Sequence, residues 1–265
     1  RGEGQADAVV PEGPGEILND DPARETAEVE EPGDVGEAVG EEDDVARFMN
    51  EVALPDCPPP SYALAHSMGA TVLLKAATVR GCWFSRMVLT APMLKIVGLP
   101  MSSGAVAGLT GALTLLGFGR SAVPGGMKDY RASQTFEGNP LTGDRERFLR
   151  NQSVLSVAQE LAIGPPTIGW VRAALAAMAV VESDKFPSRL RVPVLMLAAG
   201  DDRIVLSKAI EDFALRLKVG SKLELRGSRH EMLQERDMIR EQFWAAFDAF
   251  VPGAFAGKLG ERVVA

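Results

Sequence analysis

Tyr62-Ala63-Leu64-Ala65-His66-Ser67-Met68-Gly69-Ala70, continued by Thr71-Val72-Leu73-Leu74-Lys75-Ala76-Ala77, reads as a short buried strand, a one-residue bend at Ser67 and an amphipathic helix. That is the context in which a serine is presented as a nucleophile. Small residues at Ala65, Gly69 and Ala70 are expected to let strand and helix approach closely, leaving Ser67 on a strained turn with its hydroxyl exposed. The hydroxyl would lie at a helix N-terminus, where the backbone N–H of Met68 points at any oxyanion that forms. Taken alone, the pattern also fits a plain strand-to-helix turn, so its meaning depends on its partners.

Outward from the bend, Phe84-Ser85-Arg86-Met87-Val88-Leu89-Thr90-Ala91-Pro92-Met93 reads as a second buried strand ended by the proline. Strand, helix, strand predicts a right-handed parallel crossover. The next such pattern is Val192-Pro193-Val194-Leu195-Met196-Leu197-Ala198-Ala199-Gly200, with 98 residues, 94–191, between it and Met93. The intervening chain is helical in character, with Gly and Pro punctuation around 124–127 and 164–166. In an open α/β sheet the ligand sits outside the carboxyl ends of the strands, so this insertion would lie over the site as a cap. Residues 207–218 predict a helix, 222–225 a short strand, and 235–250 a last helix with Ile239, Phe243, Phe247 and Phe250 on its core face. Upstream, 44–52 reads as the end of a helix, stopped by Leu54-Pro55-Asp56-Cys57-Pro58-Pro59-Pro60. The fold class is α/β with a mostly parallel sheet.

Asp201 and Asp202 follow the 192–200 strand, and His230 follows the 222–225 strand in Gly227-Ser228-Arg229-His230-Glu231. Each of Ser67, the aspartates and His230 therefore sits on the loop after a successive strand, on one edge of a parallel sheet. A serine hydroxyl is a poor nucleophile near neutral pH unless a base takes its proton, and histidine titrates in the right range. The chain has 2 histidines. His66 lies inside the bend, where its backbone direction is expected to point it away from the face of Ser67, so His230 is the candidate base. The carboxylate that orients it is Asp201 or Asp202, with Asp202 preferred. No residue set suggests a metal site or a cofactor.

Three motifs together resemble the bacterial lysophospholipase and monoacylglycerol lipase branch of the α/β-hydrolases: Ala65-His66-Ser67-Met68-Gly69-Ala70, Gly200-Asp201-Asp202-Arg203-Ile204-Val205, and Ser228-Arg229-His230-Glu231-Met232-Leu233-Gln234-Glu235. Asn139-Pro140-Leu141-Thr142-Gly143-Asp144 is also similar to that family, and the likeness runs over roughly residues 43–251. The resemblance implies Ser67, Asp202 and His230 as the catalytic residues, with Met68 contributing to an oxyanion hole. It also marks a departure. Family members carry about four strands before the serine, and the loop after the third supplies a second oxyanion N–H through a His-Gly or Gln-Gly pair. No such pattern precedes Tyr62, so the N-terminal part of the sheet is expected to be missing or atypical, with a non-homologous tail in its place. Loss of one oxyanion donor typically costs about 2.7–4 kcal/mol of transition-state stabilisation.

The formal net charge of −8 averages two unlike parts. Residues 1–51 hold 17 acidic and 3 basic side chains, and the remainder is mildly basic. The tail buries too little apolar surface to offset ordering, so residues 1–42 are expected to be disordered. The core is expected over 43–93 and 189–265, and the helical cap over 94–188. No signal-peptide pattern opens the chain, so a cytoplasmic protein is the expectation, with Cys57 and Cys82 as reduced thiols. Between Lys95 and Arg120 no charge occurs, but Pro100, the glycines and the hydroxyl residues favour an apolar lid helix over a membrane span. Val106, Leu109, Leu113, Leu115, Leu116 and Phe118 there would suit an acyl chain or a peripheral membrane contact. No nucleic-acid partner is expected, and the oligomeric state is open. The leading function is thus a serine ester hydrolase acting on a small lipid ester. The alternatives are a catalytically incomplete relative, and an aminopeptidase using Glu137, Asp144 or Glu160 to bind a free amine.

Overall fold

The computed structural model describes residues 40–79, 83–123, 135–158, 161 and 163–252. Residues 1–39 of the acidic tail, Cys82, Glu160 and the punctuation around 124–127 lie outside the described residues, whereas residues 40–42, expected to belong to a disordered tail, open a helix.

Among the described residues four strands, β1 (Ser61–His66), β2 (Phe84–Thr90), β3 (Val194–Ala199) and β4 (Gly220–Leu225), pair in parallel in the order β1-β2-β3-β4. Leu64, Val88, Leu195 and Ser221 stand side by side across the sheet. The α-helices of more than one turn among the described residues are α1 (Gly40–Phe48), α2 (Met68–Val79), α3 (Ser103–Leu113), α4 (Arg145–Val157), α5 (Ile168–Glu182), α6 (Ser207–Ala214) and α7 (Asp237–Phe250).

All six residues of β3 are buried, as a strand covered on both faces requires, and its Val-Leu-Met-Leu-Ala-Ala run is the most apolar strand of the four. Met87, Val88 and Leu89 of β2 join it in one core with Leu74 of α2 and Ile210 and Phe213 of α6. The long segment between β2 and β3 is helical. Its last helix, α5, packs on α2 and α3 and sends Ala174, Leu175, Met178 and Val181 into the same core. Side-chain caps begin the inserted helices: Ser102 accepts from the Ala105 N–H, Asp144 from Arg147 and Thr167 from Trp170.

The charge-free stretch between Lys95 and Arg120 holds only the 11 residues of α3 in regular helix, continued by a wider turn over Thr114–Phe118 and broken where Gly117 turns to φ 88°. No described helix is long and apolar enough to cross a membrane. Leu115, Leu116 and Phe118 are exposed on this segment.

Two element ends differ from expectation. β4 begins at Gly220 rather than 222, which shortens α6 to Ser207–Ala214. The last helix starts at Asp237 because Glu235 is extended, at φ −78° and ψ 171°, with its side chain turned to another task described below. Among the described residues β1 has a neighbour on one side only, with Tyr62 and Leu64 exposed. A cavity of about 530 Å³ at this edge is lined by Phe48, Met49, Tyr62, Leu64, Leu73 and Phe84.

Candidate active site

Ser67 is the whole of the turn between β1 and α2, and the sharpness of that turn forces it to φ 51°, a left-handed conformation that costs a non-glycine residue about 1–3 kcal/mol. Its surroundings hold it there. The Ser67 N–H donates to Thr90 O at 3.0 Å, and its carbonyl accepts from Met93 N at 3.0 Å and Ala70 N at 3.2 Å. The buried Thr71 hydroxyl donates to Met93 O at 2.7 Å, so the loop after β2 braces the bend from both directions. Met68 opens α2, where its N–H has no carbonyl one helical turn earlier to bond. The expected need for a small residue at Gly69 is not found: a Cβ there would meet nothing within 4 Å, whereas Ala70 is fully buried.

Backbone hydrogen bonds stitch the loops on the carboxyl edge together. Leu206 N bonds Lys95 O at 2.8 Å and Val97 N bonds Ile204 O at 2.9 Å, tying the β2 loop to the β3 loop. Gly200 N bonds Leu225 O at 3.0 Å and Asp201 N bonds Ser228 O at 2.8 Å, tying the β3 loop to the β4 loop. This closeness favours glycine at 200, because a Cβ there would stand 3.0 Å from the Arg226 Cα.

Held in this way, three side chains from three loops form one hydrogen-bonded chain. His230 Nε2 lies 3.0 Å from Ser67 Oγ, and His230 Nδ1 lies 2.9 Å from Asp202 Oδ2. His230 is 4% exposed, and the Asp202 side chain has no exposure. Oδ1 of Asp202 accepts the Ile204 N–H at 2.8 Å and the Val205 N–H at 3.0 Å. Burial pushes the Asp202 carboxyl up, but the hydrogen bond and charge of His230 together with these two N–H groups outweigh it and hold the group below its ordinary range. An ionised carboxylate only accepts, so Nδ1 carries the proton and donates it, leaving the Nε2 lone pair to receive the Ser67 hydroxyl. Asp201 is exposed and takes part through its backbone alone.

The expectation that His66 points away from the site does not hold. Its ring lies edge-on to that of His230, with centroids 4.7 Å apart. Thr90 gives its hydroxyl hydrogen to Ala65 O, so its oxygen accepts from His66 Nδ1 at 3.0 Å. Burial, then the neighbouring His230, push the His66 pKa down to about 4, against the pull of the Thr90 backbone and the charge of Asp202. His66 is therefore a neutral imidazole beside the site.

The sequence reading also missed what holds the His230 loop from the side of the insertion. The Asn139 carboxamide, 1% exposed, shapes a turn by accepting from Leu141 N and Thr142 N. That turn carries Pro140 O to His230 N at 3.5 Å and Leu141 O to Glu231 N at 2.8 Å. The family resemblance covers Asn139–Asp144, and the folded chain shows what the segment touches.

A parallel sheet with helical connections, a serine on a one-residue bend, and an aspartate and a histidine on the next two strand loops define an α/β-hydrolase. Solved α/β-hydrolases share this fold. A carboxyl esterase from Bacillus coagulans aligns with TM-score 0.60 at 18% identity, over 82% of this chain and 72% of that one. A soluble variant of monoglyceride lipase from Saccharomyces cerevisiae aligns with TM-score 0.58 at 15% identity, over 78% and 65%. Residues 41–237 match the family model Hydrolase_4, described as serine aminopeptidase, S33, and the chain belongs to that family. It is 30% identical over 205 residues to lysophospholipase L2 of Escherichia coli K12, covering 75% of this chain and 59% of the relative. The chain thus spans about three fifths of the length of that curated relative.

Proposed function

We propose that the chain carries the catalytic machinery of a serine ester hydrolase that releases a fatty acid from a lysophospholipid or monoacylglycerol. The observation that carries the reading is the unbroken hydrogen-bonded chain from Ser67 through His230 to Asp202. Ser67 Oγ attacks the ester carbonyl carbon while its proton passes to His230 Nε2. Asp202 keeps Nδ1 protonated and stabilises the imidazolium that results. The Met68 N–H faces the oxyanion of the tetrahedral intermediate. As that intermediate collapses, the alcohol oxygen leaves with the proton from His230, and the acyl group stays on Ser67. Water then repeats the steps, giving its proton to His230, and expulsion of Ser67 Oγ frees the fatty acid.

In this reading residues 94–188 act as a cap over a core made of 43–93 and 189–265. The exposed Leu109, Leu115, Leu116 and Phe118 on the insertion support an apolar substrate and a peripheral membrane contact. The names of the relatives, a lysophospholipase and a monoglyceride lipase, point to the same substrate class. The family description would also admit an aminopeptidase, which needs a carboxylate for the free amine. Asp144 is occupied, since Arg147 takes both of its oxygens, and Glu137 is exposed. These observations favour the ester.

The test is labelling with a fluorophosphonate probe, beside the Ser67→Ala and His230→Ala variants, with circular dichroism on each sample. Labelling lost in both variants, followed by release of fatty acid from lysophospholipid, is the expected result. A folded wild-type chain that takes up no probe would contradict the proposal and leave a binding protein as the better reading.

A further inference from the structure

The loop that bears His230 is clamped by a carboxylate that the reaction itself does not use. Glu235 is fully buried. Its Oε1 accepts two N–H groups at once, from Arg229 at 2.9 Å and from Gly143 at 2.8 Å, while Oε2 accepts from Arg236 at 3.3 Å. One of these partners immediately precedes His230, and the other lies in the insertion, 92 residues from Glu235 in the chain. A single oxygen atom therefore joins the backbone of Arg229, the residue before the candidate base, to the backbone of the inserted segment.

The surrounding contacts make this junction stiff. The Thr142 hydroxyl donates to Gln234 O at 2.6 Å, and Arg229 Nη1 donates to Asn139 O at 3.0 Å and to Thr142 O at 2.8 Å. Arg147, already paired with Asp144, donates to Glu235 O at 2.7 Å. Packing leaves no slack: a Cβ added to Gly143 would lie 3.0 Å from Oε2 of Glu235. Two features of Glu235 stand out. A buried carboxylate is costly and persists where several donors converge on it. Its convergent donors belong to the two strands of chain whose separation sets where His230 sits.

We infer that Glu235 is a positioning residue for His230, locking the insertion turn 139–143 onto the His230 loop so that the reach of Nε2 to Ser67 depends on a contact made by the insertion. This rests on the serine hydrolase reading above, and it assigns no substrate contact to Glu235. A displacement of about 1 Å at a reacting group can lower a rate about a hundredfold, so the loss of this clamp is a kinetic effect before it is a structural one.

The experiment uses the full chain as wild type, Glu235→Ala, Glu235→Gln and Gly143→Ala, with a chromogenic short-chain ester as substrate. Each sample is also examined for the downfield proton resonance of His230 Nδ1–H, assigned by its absence in His230→Ala. In Glu235→Ala and Gly143→Ala, kcat is expected to fall about ten- to a hundredfold while KM changes less than about twofold. The downfield resonance is expected to broaden or vanish in chains that still show the wild-type circular dichroism. Glu235→Gln, which keeps an acceptor oxygen for Arg229 and Gly143, is expected to recover most of the turnover. If Glu235→Ala does not fold, Gly143→Ala carries the test alone, because its added methyl group presses on the carboxylate without removing it. A folded variant with wild-type kcat and an unchanged resonance overturns the inference, as does a rise in KM alone. Should the wild type itself turn over no ester, the resonance still decides the matter: its loss in both variants upholds the positioning role while the hydrolase reading falls, and its absence from the wild type overturns the inference.

Discussion

His66 ends β1 beside the bend at Ser67. Side chains alternate between faces only while the backbone stays extended, and the left-handed turn at Ser67 ends that alternation. The ring of His66 instead meets His230 and Thr90, and this has a consequence for acid stability. With a folded-state pKa of about 4 against an ordinary 6.5, His66 stays neutral in the native protein while the unfolded chain takes up a proton. Between those values the unfolded state binds more protons, so stability falls as pH drops from 6.5 towards 4. Urea midpoints measured across that window are expected to decline, and to decline less in His66→Gln. Asp202 acts elsewhere on the scale. Its pKa is depressed below 3.8, so its contribution is present above that value and is lost only as pH falls through the lower folded-state value. An equal decline in His66→Gln and wild type would contradict the assignment of the upper window to His66.

Strands and helices were legible where their pattern is set by burial: β3 is a continuous apolar run because it is covered on both faces, and α7 shows its core face through Ile239 and Phe243. Their ends were less so, since Glu235 looks like helix until its side chain is seen to serve the neighbouring loop. The joints between elements were invisible to sequence, because they are made by backbone groups that every residue carries. Gly200 is the exception that a sequence displays without explaining. It needs no unusual dihedral; it is small because the β3 and β4 loops cross there, with Arg226 Cα and Gly227 N at 3.0 and 3.2 Å from a would-be Cβ. Gly200→Ala is therefore expected to force those loops apart, costing about 1–3 kcal/mol of stability and moving Asp202 from His230. Thermal melting and ester turnover would both register it. A variant that melts and turns over like wild type would mean that the crossing accommodates a methyl group.

Across the molecule, sequence carried the order of the motifs and so the common edge on which they meet, but it could not supply distance. The chain order Ser, Asp, His is a fact of topology; the 3.0 and 2.9 Å links are a fact of packing among the loops after all of the last three strands and the insertion. In the described residues the sheet has four parallel strands with β1 at one edge. One consequence belongs to time rather than to space. β2 and β3 are adjacent in the sheet although roughly a hundred residues separate them, and closing so long a loop is paid in chain entropy before any strand contact offsets it. Helices in the intervening segment form from local contacts and need not wait. On refolding from denaturant, far-ultraviolet dichroism is expected to recover first and the capacity of Ser67 to take up a fluorophosphonate last, with a lag between the two signals. On the serine hydrolase reading the serine is thus a clock for completion of the fold: a phosphonylated Ser67 would report that β3 has docked, that the aspartate and histidine loops have crossed, and that the insertion has settled against them.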